Sequence, residues 1–202
     1  MDNYTSKVIC TLFFILGLIA ADAQNNSQPD YKKYEPSPTH PFGQANPNAP
    51  EGIRDYGPLI GECDCRSVSR GPDQTWGDTV SMVWRFKYIM NGQAVQDETI
   101  KADGSHSGSI RQYNADSSKW YVHYYSTGGA PSVLPAWEGQ KTDEHTIRLY
   151  RENKAPNGTP GYYRITFSEI SQEGFNWIGE WVDTGETVQF PLWKIFCTKR
   201  KQ

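Results

Sequence analysis

The sequence predicts an all-β protein, an antiparallel up-and-down barrel of about eight to ten strands with a β-sandwich as the alternative. Three observations carry this. Apolar residues recur with a period of two, turn signals punctuate the chain at short intervals, and helical periodicity is absent after the first 23 of its 202 residues. A barrel is preferred to a sandwich because strands of roughly ten residues would leave exposed edges in an open sheet. With 18 glycines, 13 prolines and 27 aromatic residues, the composition excludes collagen-like, coiled-coil and fully disordered chains.

The first element is an address. Lys7 precedes the apolar run Val8 to Ala20, and Ala21-Asp22-Ala23 supplies the small-x-small pattern of signal-peptide cleavage. Residues 1–23 therefore read as a secretory signal, and the expected location is secreted or periplasmic. The run is shorter than the roughly 20 residues a membrane helix needs, so no span is expected after cleavage. What remains carries 19 basic and 21 acidic side chains. That balance lacks the clustered cations of a nucleic-acid binder.

Residues 24–56 follow, rich in proline, asparagine and glutamine and poor in periodic apolar residues. They read as an extended or disordered leader. The barrel domain is then 57–202, a length suited to one domain.

Within it, Leu59 to Val68 gives the first strand. Val80, Met82, Trp84, Phe86, Tyr88 and Met90 alternate with smaller or polar residues, giving the second strand one large apolar face. Asn91-Gly92 then signals a type I′ hairpin, whose two central residues both need positive φ. A two-residue loop fixes the pairing. Tyr88 faces Val95, Phe86 faces Asp97 and Trp84 faces Thr99, while Arg85 and Glu98 form an opposite-charge pair on the other side. Further strands are expected at Ser109 to Tyr113, Lys119 to Ser126, Thr146 to Arg151, Tyr162 to Phe167, Phe175 to Val182 and Thr187 to Thr198. The total is about nine, or ten if the region around Trp137 pairs.

The segment Trp84-Arg85-Phe86-Lys87-Tyr88-Ile89-Met90-Asn91-Gly92-Gln93-Ala94-Val95-Gln96-Asp97, with Arg111-Gln112-Tyr113, Trp120 and Phe175-Asn176-Trp177, resembles a family of uncharacterised bacterial secreted proteins with a lipocalin-like, calycin-type barrel. The resemblance covers most of Leu59 to Lys199. It implies a closed barrel around a central cavity and no established activity.

Asp97 is the sharpest chemical signal, because the hairpin register sets it on the face of Trp84, Phe86 and Tyr88. A carboxylate among aromatics is costly to bury unpaired. Pairing Tyr113 with Trp120 across the next turn puts Arg111 on a shared face with Tyr113, Trp120 and Val122, making Arg111 the candidate partner. A ligand site is thus expected from Trp84, Phe86, Tyr88, Asp97, Arg111, Tyr113, Trp120 and Trp177, holding a small apolar or amphipathic molecule. Two other readings stand beside it: a barrel enzyme using Asp97 and Arg111 for acid-base chemistry, and a filled barrel acting as an envelope or interaction protein. No catalytic residue is assigned, and no hydrolase, kinase or dinucleotide signature occurs. Asp97 and Glu180 are the one carboxylate pair to weigh for sugar hydrolysis.

Metal-ligand spacing is absent. No cofactor is expected, with two alternatives named: haem on His123 or His145, which lie on strands while His40 is in the leader and His106 in a turn, and a soft metal on Cys63, Cys65 and Cys197. The more economical use of the thiols is a disulfide, since barrel closure brings the first and last strands together. Cys197 is expected to pair with Cys63, and Cys65 is the alternative.

Overall fold

The computed structural model describes residues 31–201, so the expected signal over 1–23 and the start of the expected leader, 24–30, lie outside the described residues. Ten strands form one closed antiparallel barrel in which each strand pairs with its sequence neighbours and the last returns to the first. They are β1 (Gly61–Ser69), β2 (Val80–Ile89), β3 (Ala94–Lys101), β4 (His106–Asn114), β5 (Lys119–Ser126), β6 (Ala136–Asp143), β7 (Thr146–Lys154), β8 (Pro160–Ser168), β9 (Gly174–Asp183) and β10 (Gln189–Lys199). The region around Trp137 does pair, as β6. The sandwich alternative falls because β1 and β10 close the sheet.

Turn chemistry sets the local registers. Met90, Asn91 and Gly92 have φ of 54°, 52° and 76°, and the Gln93 N–H donates to the Ile89 and Met90 carbonyls, each at 3.2 Å. Three successive residues with positive φ thus turn the chain over 90–93, a loop two residues longer than the expected type I′ turn that keeps the same pairing. Tyr88 consequently pairs with Val95, Phe86 with Asp97, Trp84 with Thr99 and Arg85 with Glu98. Tyr113 pairs with Trp120 and Arg111 with Val122. In each strand alternate residues enter the barrel, as in the buried series Met82, Trp84, Phe86 and Tyr88 of β2.

The seam between β1 and β10 corrects one expectation. The disulfide joins Cys65 to Cys197, whose Cα atoms are 4.1 Å apart, and Cys63 is a buried free thiol. Cys65 lies directly across from Cys197, whereas Cys63 lies across from Lys199. No tight turn connects these strands, so local sequence does not set their register. The soft-metal alternative falls with the same bond, because two of its three thiols are consumed.

Residues 31–56 correct another. They are not an extended or disordered leader: the segment folds onto one end of the barrel, with Asn46 N–H donating to the Gly92 carbonyl and Tyr88 N–H to that of Phe42. Glu51–Leu59 then forms a 3₁₀ helix, η1, which buries Ile53, Tyr56 and Leu59. A 3₁₀ helix has three residues per turn, so residues spaced by three share a face. That stripe was present in the sequence, but searching for periods of 2 and 3.6 misses it. Gly52 is needed where η1 meets the wall, since a Cβ there would lie 2.3 Å from the Tyr113 ring.

Candidate functional site

The helix η1 divides the interior into two unlike halves. At its end Tyr56 inserts among aromatics, edge-on to Trp120 at 4.8 Å and to Phe167 at 5.8 Å, and stacked at 6.4 Å from Phe86. Trp120 donates its indole N–H to Asp55 Oδ2 at 3.0 Å. Lys199 Nζ donates to the Pro58 carbonyl at 2.6 Å, tying the last strand to the helix. This half is solid.

Asp97 and Arg111 form the floor between the halves, each 2% exposed. Arg111 donates from Nε and Nη2 to Asp97 Oδ1 at 2.8 and 2.7 Å, and from Nη1 to the Tyr56 hydroxyl at 3.1 Å. Trp84 donates its indole N–H to Asp97 Oδ2 at 2.9 Å. Burial opposes the Arg111 charge, but the Asp97 carboxylate and Tyr56 outweigh it and move its pKa upward. Burial drives the Tyr56 phenol up to about 12. Both carboxylate oxygens are occupied and the guanidinium is held from two sides, which suits a fixed floor better than a mobile acid or base.

Beyond the floor lies a cavity of about 310 Å³, bordered by Trp84, Val122, Tyr124, Trp137, Tyr163, Ile165, Trp177, Trp193 and Ile195, with Thr99, Ser107 and Ser109 on the β3–β4 side. Its aromatic wall is interlocked edge to face: Trp177 with Trp193 at 5.2 Å, Trp84 with Trp177 at 6.2 Å and Trp137 with Tyr163 at 5.9 Å. Pro135 and Arg151 also line it. A wider groove of about 840 Å³ crosses the opposite, outer end beside residues 39–44 and 198–201. It lacks the enclosed aromatic wall of the interior cavity.

Of the eight residues expected to share a site, Trp84, Asp97, Arg111 and Trp177 border the cavity. Phe86, Tyr88, Tyr113 and Trp120 lie toward the η1 end; Phe86 and Trp120 pack on Tyr56, while Tyr113 meets Trp120 at 5.4 Å. Tyr124 follows from the same alternation as Trp120 and Val122 and was missed, while Trp137, Arg151, Tyr163 and Trp193 enter from β6, β7, β8 and β10, whose common wall no single hairpin register assembles. The cavity lining holds no histidine or cysteine, so it offers no such axial ligand to a haem. Glu180 is on the outer side of β9 and pairs with Arg164 at 2.8 Å. It does not converge with Asp97, and the glycosidase pairing falls.

Fold and site together define a closed antiparallel β-barrel, plugged at one end by a 3₁₀ helix and hollow toward the other. No protein-family model matches the chain, and no curated protein matches its sequence. Among solved structures it is similar to Rv2717c from M. tuberculosis, at 10% identity over 76% of this chain and 100% of that one, with a TM-score of 0.48.

Proposed function

We propose that the protein is a calycin-type binding barrel, exported from the cell, that holds a small apolar or amphipathic ligand in the cavity beyond the Asp97–Arg111 floor. The carrying observation is the cavity itself. Its volume, about 310 Å³, reaches the lower range of small-molecule pockets, and an apolar wall with a few fixed polar groups is the usual composition of such sites. A wholly filled barrel would leave no such space. The acid-base alternative has less support, because Arg111 and Trp84 already engage the Asp97 carboxylate. The Cys65–Cys197 disulfide supports an oxidising compartment, and among the described residues no helix is long and apolar enough to cross a membrane.

Native mass spectrometry of protein purified from its own host tests the reading. A retained small molecule is expected, released when the cavity wall is altered by Trp177→Leu. A barrel that carries no added mass, and whose tryptophan emission does not respond to ring-bearing probes, would count against ligand binding. Intact mass in the same spectrum tests export, for which loss of residues 1–23 is expected.

A further inference from the structure

We infer, resting on the cavity-binding reading above, that the ligand is a compact, ring-bearing monocarboxylate whose carboxylate is taken by Arg151. On β7 the residues Ile147, Leu149 and Arg151 alternate inward, and the first two are fully buried. Arg151 therefore reaches the cavity from its wall. Its guanidinium lies over the Trp137 ring, 4.3 Å from the centroid, and 5.9 Å from that of Tyr163. A guanidinium held against rings carries its N–H groups in its own plane, where a planar carboxylate can meet two of them.

The charge pattern points the same way. Of the two arginines that border the cavity, Arg111 has a carboxylate partner, whereas the Arg151 side chain makes no hydrogen bond or ion pair among the described residues. Two carboxylates, Glu138 and Glu152, border the outer side of its rim. Glu138 is held by Lys119 at 2.8 Å, and Glu152 forms no ion pair with Arg151. Inside the cavity Asp97 and Arg111 neutralise each other, leaving one positive charge unmatched. A monoanion balances it, whereas a dianion would leave a charge uncompensated. The interlocked tryptophans and tyrosines favour a flat ring as the ligand body, because aromatic pairs gain from edge and offset contacts. Ser109, Tyr124 and Trp177 make no side-chain hydrogen bond among the described residues and can meet polar substituents on that ring.

Calorimetric titration with naphthoate, naphthamide and naphthylmethylamine at neutral pH separates charge from shape. The expected result is about tenfold tighter binding of naphthoate than of naphthamide, the margin of a charge-assisted over a neutral hydrogen bond. The amine should bind weakest. In Arg151→Met the ratio of naphthoate to naphthamide affinity should fall to about one, and in Arg151→Lys, which keeps the charge without the fork, part of the preference should remain. Equal affinities in the unaltered protein, tighter binding of the amine, or a preference that survives Arg151→Met would overturn the carboxylate assignment while leaving cavity binding in place. Failure of all three probes to bind would overturn the cavity reading as well.

Discussion

The two ends of this barrel are built from the same kinds of side chain and behave oppositely. Around Tyr56, rings from η1, β2, β5 and β8 close into a solid cluster. Around Trp177, rings from β2, β9 and β10 interlock with one another yet leave about 310 Å³ of space. Aromatic content alone therefore does not decide whether a barrel is filled. What decides it here is a separate segment of chain inserted at one end, with the Asp97–Arg111 pair marking the boundary.

The largest expected effect breaks that boundary. Arg111→Met leaves the Asp97 carboxylate buried without its counter-charge and should cost about 3 to 5 kcal/mol. Pairing it with Asp97→Asn should cost markedly less than the sum of the two single changes, as read by denaturant unfolding. Additive, small effects would mean that the floor does not separate the halves.

Cutting one ring from each end sharpens the contrast directly. Tyr56→Ala removes a fully buried ring from a close-packed cluster and should cost about 3 to 5 kcal/mol. Trp177→Leu removes atoms that already border empty space, and about 1 to 2 kcal/mol is expected because less packing is lost. Equal costs would contradict the solid-versus-hollow description.

Alkaline pH probes the closed end without a cavity-forming mutation. Burial holds Tyr56 neutral in the folded state up to about pH 12, while an unfolded tyrosine ionises near 10.0. The folded state thus binds more protons over that interval. The stabilisation is complete below about pH 10 and is lost as pH rises toward about 12, by roughly 2 to 3 kcal/mol for this one group. Tyr56→Phe should flatten the decline, with a residual slope from Tyr88 and Tyr163, whose phenols burial also pushes upward. An unchanged slope would place Tyr56 in water.

The smallest effect concerns the seam. Burial pushes the Cys63 thiol up to about 11, so it should resist alkylation at neutral pH in the native protein. Peptide mapping without reductant should find Cys63 modified only after unfolding, with Cys65 and Cys197 still linked. Rapid native labelling of Cys63 would show that the seam is open.

Asp97 and Arg111 show how far the sequence reaches into the site. Each partner is one hairpin from a turn of defined length, so the Asn91-Gly92 turn and the turn before Trp120 carry both side chains to one face. Alternation with a period of two likewise places Met82, Trp84, Phe86 and Tyr88 inside, because successive strand residues must point to opposite faces. Arg151 is equally inward by alternation, but its neighbours Trp137 and Tyr163 belong to other strands, and only the assembled wall shows it against their rings and without a carboxylate.

The sequence by itself determined nine of the ten strands, the β2–β3 and β4–β5 registers and the shared face of Asp97 and Arg111, consequences of alternation and of turns that act over a few residues. Only the tertiary structure decided that Cys65 and not Cys63 meets Cys197, that Ile53, Tyr56 and Leu59 seal one end, and that the other end stays hollow. The physical reason is range. A short turn fixes a register by backbone geometry, whereas the β1–β10 seam joins cysteines 132 residues apart and the fate of η1 rests on packing summed over several strands.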